Sequence, residues 1–167
     1  CYHYNDILEC VSSNLKYDDY FSFSCYSLSK EKTDNLDNDR DVIVENKLIN
    51  ENVLGDEGWF NHSIHRPVGY HFCSAIHKKD LEDLGGFDER YAEGVCYDDN
   101  KFLERIKRKK MNIEIIDSYR VLHQWHTSGN YDTEDFGSLY EKNRGLFYNV
   151  TLNEIGFSPN KIGRAHV

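Results

Sequence analysis

The chain has 167 residues, with 20 Lys and Arg against 29 Asp and Glu and a formal net charge of −9. That length suits one ordinary domain, and the acidic balance excludes a general phosphate-backbone binder, and with it a nucleic-acid polymer as partner. A mean hydropathy of −0.73 would suit a loose chain, but 12 Tyr, 9 Phe and 2 Trp argue for a small aromatic-rich core.

No apolar run approaches the ~20 residues that a membrane helix requires, and no signal-peptide pattern opens the chain. The first residue is Cys1 rather than Met, which reads as the edge of an interrupted reading frame. Residues 5 to 15 place Ile7, Leu8, Val11 and Leu15 on one helical face, with Asn5 or Asp6 as the cap. From Tyr20 to Leu28 the pattern changes to alternation, with Phe21, Phe23 and Cys25 on one side and Ser22, Ser24 and Tyr26 on the other. That predicts a strand. Thr33 to Asp41 is polar and acidic and reads as a loop; Val42-Ile43-Val44 reads as a short strand. Gly55 to Gly69, with Pro67 inside it, reads as a long connection. Phe72 to Ile76 is a compact apolar run, followed by a short helix over Lys79 to Leu84. Gly85 and Gly86 end that helix, because Gly enters the left-handed conformation without a Cβ penalty.

Asp98 or Asp99 then caps a longer helix to about Lys110, with Phe102, Leu103 and Ile106 inward. Its basic end, Lys107-Arg108-Lys109-Lys110, complements the helix dipole and reads as a solvated cap rather than a nucleic-acid patch. Ile113 to Ile116 and Arg120 to Leu122 are predicted strands. Thr133 to Val150 carries Phe136, Leu139, Tyr140, Leu146, Phe147 and Val150 at helical spacing. Strands and helices alternate, so the expected fold is α/β, a mixed sheet flanked by helices. The tail, Lys161 to Val167, resembles the translation of a common short-read sequencing adapter. Residues 1–160 are therefore expected to be one partial domain and residues 161–167 a non-native tail.

The five cysteines are Cys1, Cys10, Cys25, Cys73 and Cys96. Their spacing contains no Cys-x-x-Cys, which excludes zinc-ribbon and thioredoxin readings. Free thiols in a reducing compartment, the cytoplasm, are the expectation. Two glycosylation sequons, Asn61-His62-Ser63 and Asn149-Val150-Thr151, read as chance matches in the absence of a secretory signal.

Four features carry candidate chemistry. The Gly85-Gly86-Phe87-Asp88-Glu89-Arg90 turn opens a loop. Tyr97-Asp98-Asp99 sets two carboxylates at a helix start, where a carboxylate facing a cleft takes a proton from a hydroxyl nucleophile or simply caps the helix. His123-Gln124-Trp125-His126 follows an apolar strand; imidazoles there suit a divalent metal and Trp125 suits a sugar or base face. Trp59-Phe60-Asn61-His62 with His65-Arg66-Pro67 makes an aromatic and polar loop. Asp37-Asn38-Asp39 matches the Asp-x-Asp that holds a metal–diphosphate in many transferases, but it follows no hydrophobic strand. Asp37, Asp39 and Asp41 mimic a calcium loop, yet Val42 and Leu48 stand where Gly and a bidentate Glu are required. Both read as loop acids.

In order, these pieces resemble the C-terminal, acceptor-side half of a GT-A-fold glycosyltransferase of the family 2 type. The run from Phe72 to Glu89 looks like that family's strand–helix–GGFDE passage, and Tyr97 to Arg105 looks like its "ED-x-D-L-x-x-R" helix start. Asp98 stands where Glu is usual, and Lys101 replaces the later acid. The Val121-Leu122-His123 strand end resembles the position from which such enzymes supply a histidine to a metal. The resemblance implies transfer of a sugar from a nucleotide-sugar donor to a glycan or other hydroxyl acceptor, with Mn or Mg. It implies Asp99 as catalytic base, Asp98, Gly86, Trp59 and Trp125 on the acceptor, and His123 as metal ligand with His126 in reserve. It covers residues 70 to 126 specifically and 1 to 69 only loosely. No donor-binding Asp-x-Asp is found upstream, so the isolated chain is expected neither to bind a nucleotide-sugar tightly nor to turn over. Two rival readings stand beside it: a non-catalytic carbohydrate-binding or interaction module of the same fold, and a metal-dependent hydrolase using His123, His126 and Asp98 or Asp99, which would need a third ligand.

Overall fold

The computed structural model describes residues 2–3, 6–36, 57–127 and 134–153. The chain divides into two compact units, Cys1–Ala75 with Asn112–Thr127, and Ile76–Met111 with Ser128–Val167.

The first unit holds a mixed five-stranded sheet among the described residues. Its strands are β1 (Tyr2–His3), β2 (Asp19–Ser27), β3 (Gly58–Asn61), β4 (Ser74–Ile76) and β5 (Asn112–His123), in the order β1-β5-β2-β3, with β4 also paired to β2. β2 and β5 are parallel, from Asp19 opposite Asn112 to Ser27 opposite His123, with a register shift between Phe23 and Cys25. β1 and β3 run antiparallel to their neighbours. The two apolar runs after Asn112 thus form one strand rather than two, and part of the expected Gly55–Gly69 connection is β3.

The predicted first helix is α1 (Ile7–Asn14); Asp6 is its N-cap, with a carboxylate oxygen accepting from the Glu9 amide at 3.0 Å. A short helix, α2 (Lys30–Asp34), starts at the Ser29 cap and takes up Thr33 and Asp34, which the sequence pattern assigns to a loop. Asp37 to Asp41 and Val42 to Val44 lie outside the described residues.

Alternation along β2 and β5 builds a core on each side of the sheet. Phe21, Phe23, Cys25, Ile116 and Val121 pack with Cys10 of α1, and Ile7, Val11 and Leu15 close over them. Tyr26, Leu122, Trp59, Leu28 and Leu36 make the second cluster. β2 is therefore buried on both faces, not one. Its serines tolerate this because each finds an acceptor: Ser22 Oγ donates to the Tyr70 carbonyl at 2.8 Å and Ser24 Oγ to that of Asp117 at 3.4 Å.

The second unit holds three helices among the described residues: α3 (Lys78–Asp83), α4 (Asp98–Lys109) and α5 (Glu134–Asn153), with a 3-10 turn at Glu89–Glu93. α3 ends as its sequence dictates. Gly85 and Gly86 have φ of 77° and 68°, and their amides donate back to the carbonyls of Glu82 and Leu81. α4 buries the predicted Phe102, Leu103 and Ile106, and also Lys101 and Arg105. Its cap is Tyr97 rather than Asp98 or Asp99, which fall in the first turn. Of its basic end, Lys107 and Arg108 are exposed, while Lys109 bonds Asp80 at 2.7 Å. The helix stops at Lys110, left-handed at φ 60°.

Candidate functional site

Asp98 and Asp99 leave a strained turn. Cys96 and Tyr97, neither of them glycine, both sit in the left-handed region with φ of 61° and 66°. Each such residue costs on the order of 1–3 kcal/mol and persists only where its surroundings over-determine it. The carboxylates occupy the first turn of α4, where negative charge complements the helix dipole. Asp98 is exposed and Asp99 half-buried. Burial and then the Asp98 and Asp99 charges raise the Cys96 thiol above its ordinary value, so it is a poor nucleophile. The Tyr97 hydroxyl lies 3.0 Å from that of Tyr140, and this hydrogen bond pushes its pKa up to about 12. Tyr97 therefore stays a neutral phenol.

Gly86 is on the same unit, and its carbonyl accepts from the buried Arg105 guanidinium at 2.8 Å. Phe87 is 48 % exposed and stacks on Phe102 at 4.4 Å. Asp88 receives Arg90 at both oxygens, at 2.8 and 2.5 Å, and this pair draws its carboxyl below the ordinary carboxylate value. The glycine turn is thus tied to α4 by Arg105 and closed by an ion pair.

The remaining candidates belong to the first unit. His123 ends β5; its ring meets Phe72 edge-on at 5.1 Å and His126 edge-on at 5.2 Å. Burial, and secondarily the His126 charge, lower its pKa, which leaves the neutral, ligating imidazole. Trp125 is half-buried; its amide donates to Thr33 Oγ1 at 2.8 Å and the Lys30 ammonium lies 5.7 Å from its ring centre. Among the described residues no three His, Cys, Asp or Glu side chains gather as a metal centre, here or elsewhere. Two imidazoles do not by themselves make the three-ligand protein site that zinc takes, whereas Mn or Mg is held by one or two protein ligands together with substrate phosphates.

Trp59 requires a correction. The sequence marks it as a sugar-stacking residue, yet it is 3 % exposed, packed edge-on against Tyr26 at 5.0 Å and covered by the rings of His62 and His65. Its indole serves the core. Beside it, His62 Nδ1 accepts from the amides of Ile64 and His65 at 3.1 and 3.3 Å, and its Nε2 lies 3.7 Å from Asp117 Oδ2. Asp117 also receives the Ser63 amide at 3.1 Å and its hydroxyl. This is a built loop rather than a catalytic triad, because the carboxylate holds both the serine and the histidine.

Two asparagines have a structural role that sequence reasoning does not assign. Asn61 donates to Ser22 Oγ and the Phe23 carbonyl and accepts from the Gly69 amide, at 2.8, 3.1 and 3.0 Å. At 1 % exposure this first sequon is closed to glycosylation in the folded chain. Asn143, also 1 % exposed, donates to the carbonyls of Tyr91 and Cys96 at 3.0 and 2.8 Å. No motif signals either set of hydrogen bonds, since an amide acquires its meaning from partners far along the chain. Comparison of the chain with family models, curated proteins and solved structures returned no match.

Proposed function

We propose that this chain carries the acceptor-side part of a glycosyltransferase of GT-A type, with Asp99 as the base that activates the acceptor hydroxyl. The observation that carries the reading is the strained pair Cys96–Tyr97 directly before Asp98 and Asp99: strain of this kind concentrates at functional sites. The mixed sheet with its parallel β2–β5 pair supports the α/β part of the assignment. In the proposed reaction Asp99 accepts the acceptor's proton as the acceptor oxygen bonds the sugar's anomeric carbon. The bond from that carbon to the diphosphate breaks, and the nucleoside diphosphate leaves with the electron pair. Asp98 orients the acceptor, and Gly86, on the same unit, borders it. Trp59, buried in the core, takes no part. The divalent ion expected on His123 and His126 is left out of the reaction, and no step is routed through it.

Asp99→Asn in the full-length enzyme tests the reading. Nucleoside-diphosphate release from a panel of UDP- and GDP-sugars should drop by about 10²–10⁴-fold, the span of general-base catalysis, with thermal stability kept. Near-normal turnover would remove Asp99 from the mechanism. Glycan binding without any turnover in the unsubstituted enzyme would instead favour the binding-module reading.

A further inference from the structure

We infer that Asn143 is the positioning residue of the candidate base: from the middle of α5 it locks the left-handed Cys96–Tyr97 turn from which Asp98 and Asp99 project. The turn is docked on α5 at four successive residues. Gly94 lies so close to the helix that a Cβ there would fall 2.3 Å from Asn143 Oδ1 and 2.7 Å from the Leu139 carbonyl oxygen. The Val95 amide donates to the Leu139 carbonyl at 3.4 Å. The Cys96 carbonyl receives Asn143 Nδ2 at 2.8 Å. Tyr97 completes the set, with its hydroxyl on that of Tyr140 and its ring 5.4 Å from that of Phe147.

Asn143 is the centre of this arrangement. Its two amide hydrogens serve two carbonyls, those of Tyr91 before the turn and Cys96 inside it, so the amide spans the loop and fixes both ends. Asp, of equal volume, would present oxygens to both carbonyls, and Gln would not fit beside Gly94. The next carbonyl, that of Tyr97, accepts the first hydrogen bond of α4, from the Lys101 amide at 2.9 Å. Where the turn points therefore decides where α4 starts. That in turn sets where its first two carboxylates stand. The catalytic meaning of the clamp rests on Asp99 being the base; the clamp itself does not.

Amide hydrogen exchange at Lys101 in the 167-residue chain tests the inference. Asn143→Ala should speed it by about tenfold or more, the size of one lost hydrogen bond, while amides late in α4 keep their protection. Adding Cys96→Gly to that variant should slow it again by at least about threefold, because glycine holds the left-handed conformation without a clamp. That rescue separates positioning from mere packing, which a glycine at 96 would not restore. Unchanged exchange in Asn143→Ala, or no rescue by Cys96→Gly, would overturn the proposal. If Asn143→Ala does not fold, Gly94→Ala displaces the amide without removing it and should give the same local loss; protection at Lys101 kept in that variant overturns the proposal too. Because these readouts need no turnover, they stand apart from the Asp99→Asn test, whose failure would leave the clamp intact and remove its catalytic role.

Discussion

The two units solve the same problem with different materials. The sheet unit is held by apolar side chains on both faces of β2, with buried polar groups such as Ser22, Ser24 and Asn61 bonded inside it. The helical unit is held by polar clamps: Arg105 on Gly86, Arg90 on Asp88, Lys109 on Asp80, Asn143 on Tyr91 and Cys96. It also contains Cys96, Tyr97 and Lys110 in the left-handed region, whereas the sheet unit has Asp18 alone among its described non-glycine residues. An apolar core tolerates little strain and needs none. A clamped loop stores strain, and the helical unit stores it next to its two exposed-side carboxylates.

Four changes put that contrast at risk. The largest effect belongs to Phe23→Ala, which empties a site 1 % exposed in the sheet core and should cost about 3–5 kcal/mol. Hydrogen exchange should show the loss in β2 and β5; an equal loss throughout α4 would mean that the two units unfold as one. Next, Arg105→Met keeps the bulk but takes the charged donor from the Gly86 carbonyl, at a cost of about 1.5–3 kcal/mol. Chemical denaturation read at Phe87 and Phe102 should report it, and a neutral outcome would deny that polar clamps hold this unit.

The third is a pH effect confined to the sheet unit. Burial lowers the His62 pKa from its ordinary 6.5; His65 and Arg120 add to this and the Asp117 carboxylate opposes it. The folded loop thus prefers the neutral ring, as its Nδ1 must, since it accepts two amides. As pH falls through 6.5 the unfolded chain takes up the proton first, so stability declines until the folded His62 protonates as well. His62→Asn keeps an acceptor for the amides of Ile64 and His65 and loses the proton. Melting temperatures between pH 7.5 and 5 should fall less in this variant than in the parent; equal slopes would clear His62. Smallest, Lys110→Gly relieves a left-handed lysine at the end of α4 and should stabilise the helical unit by about 0.5–1 kcal/mol. A loss instead would show that Lys110 contributes contacts beyond its backbone.

Much of the local structure was legible before folding. Ile7, Val11 and Leu15 at helical spacing name α1, with Asn5 or Asp6 expected and Asp6 found as its cap, although Leu8, expected on the same face, is 79 % exposed; the alternation after Tyr20 names β2. The Gly85–Gly86 stop and the apolar face of α4 follow from the same kind of spacing, because helix and strand periods are written over neighbouring residues. Exposure was less legible. Leu139 and Phe147 share the helical pattern of α5, yet Leu139 is 36 % exposed and Asn143, which no apolar pattern selects, is the buried one. The candidate site shows the same limit. Asp98 and Asp99 are found at a helix start as spacing predicts, but the left-handed turn that presents them has no sequence signature, since glycine is missing from both positions.

The sequence by itself sets an acidic, aromatic-rich chain with no apolar stretch long enough for a membrane span, and among the described residues no helix is long and apolar enough to cross one. Residue order set most helices and strands. Only the tertiary structure decided that Trp59 is core rather than platform, that β3 lies within an expected loop, and that Lys101 and Arg105 are buried. It alone brought Asn143 to Cys96, 47 residues away in the chain. The reason is common to all of these: periodicity is a property of adjacent residues, whereas the burial of a polar group depends on a partner that only folding supplies.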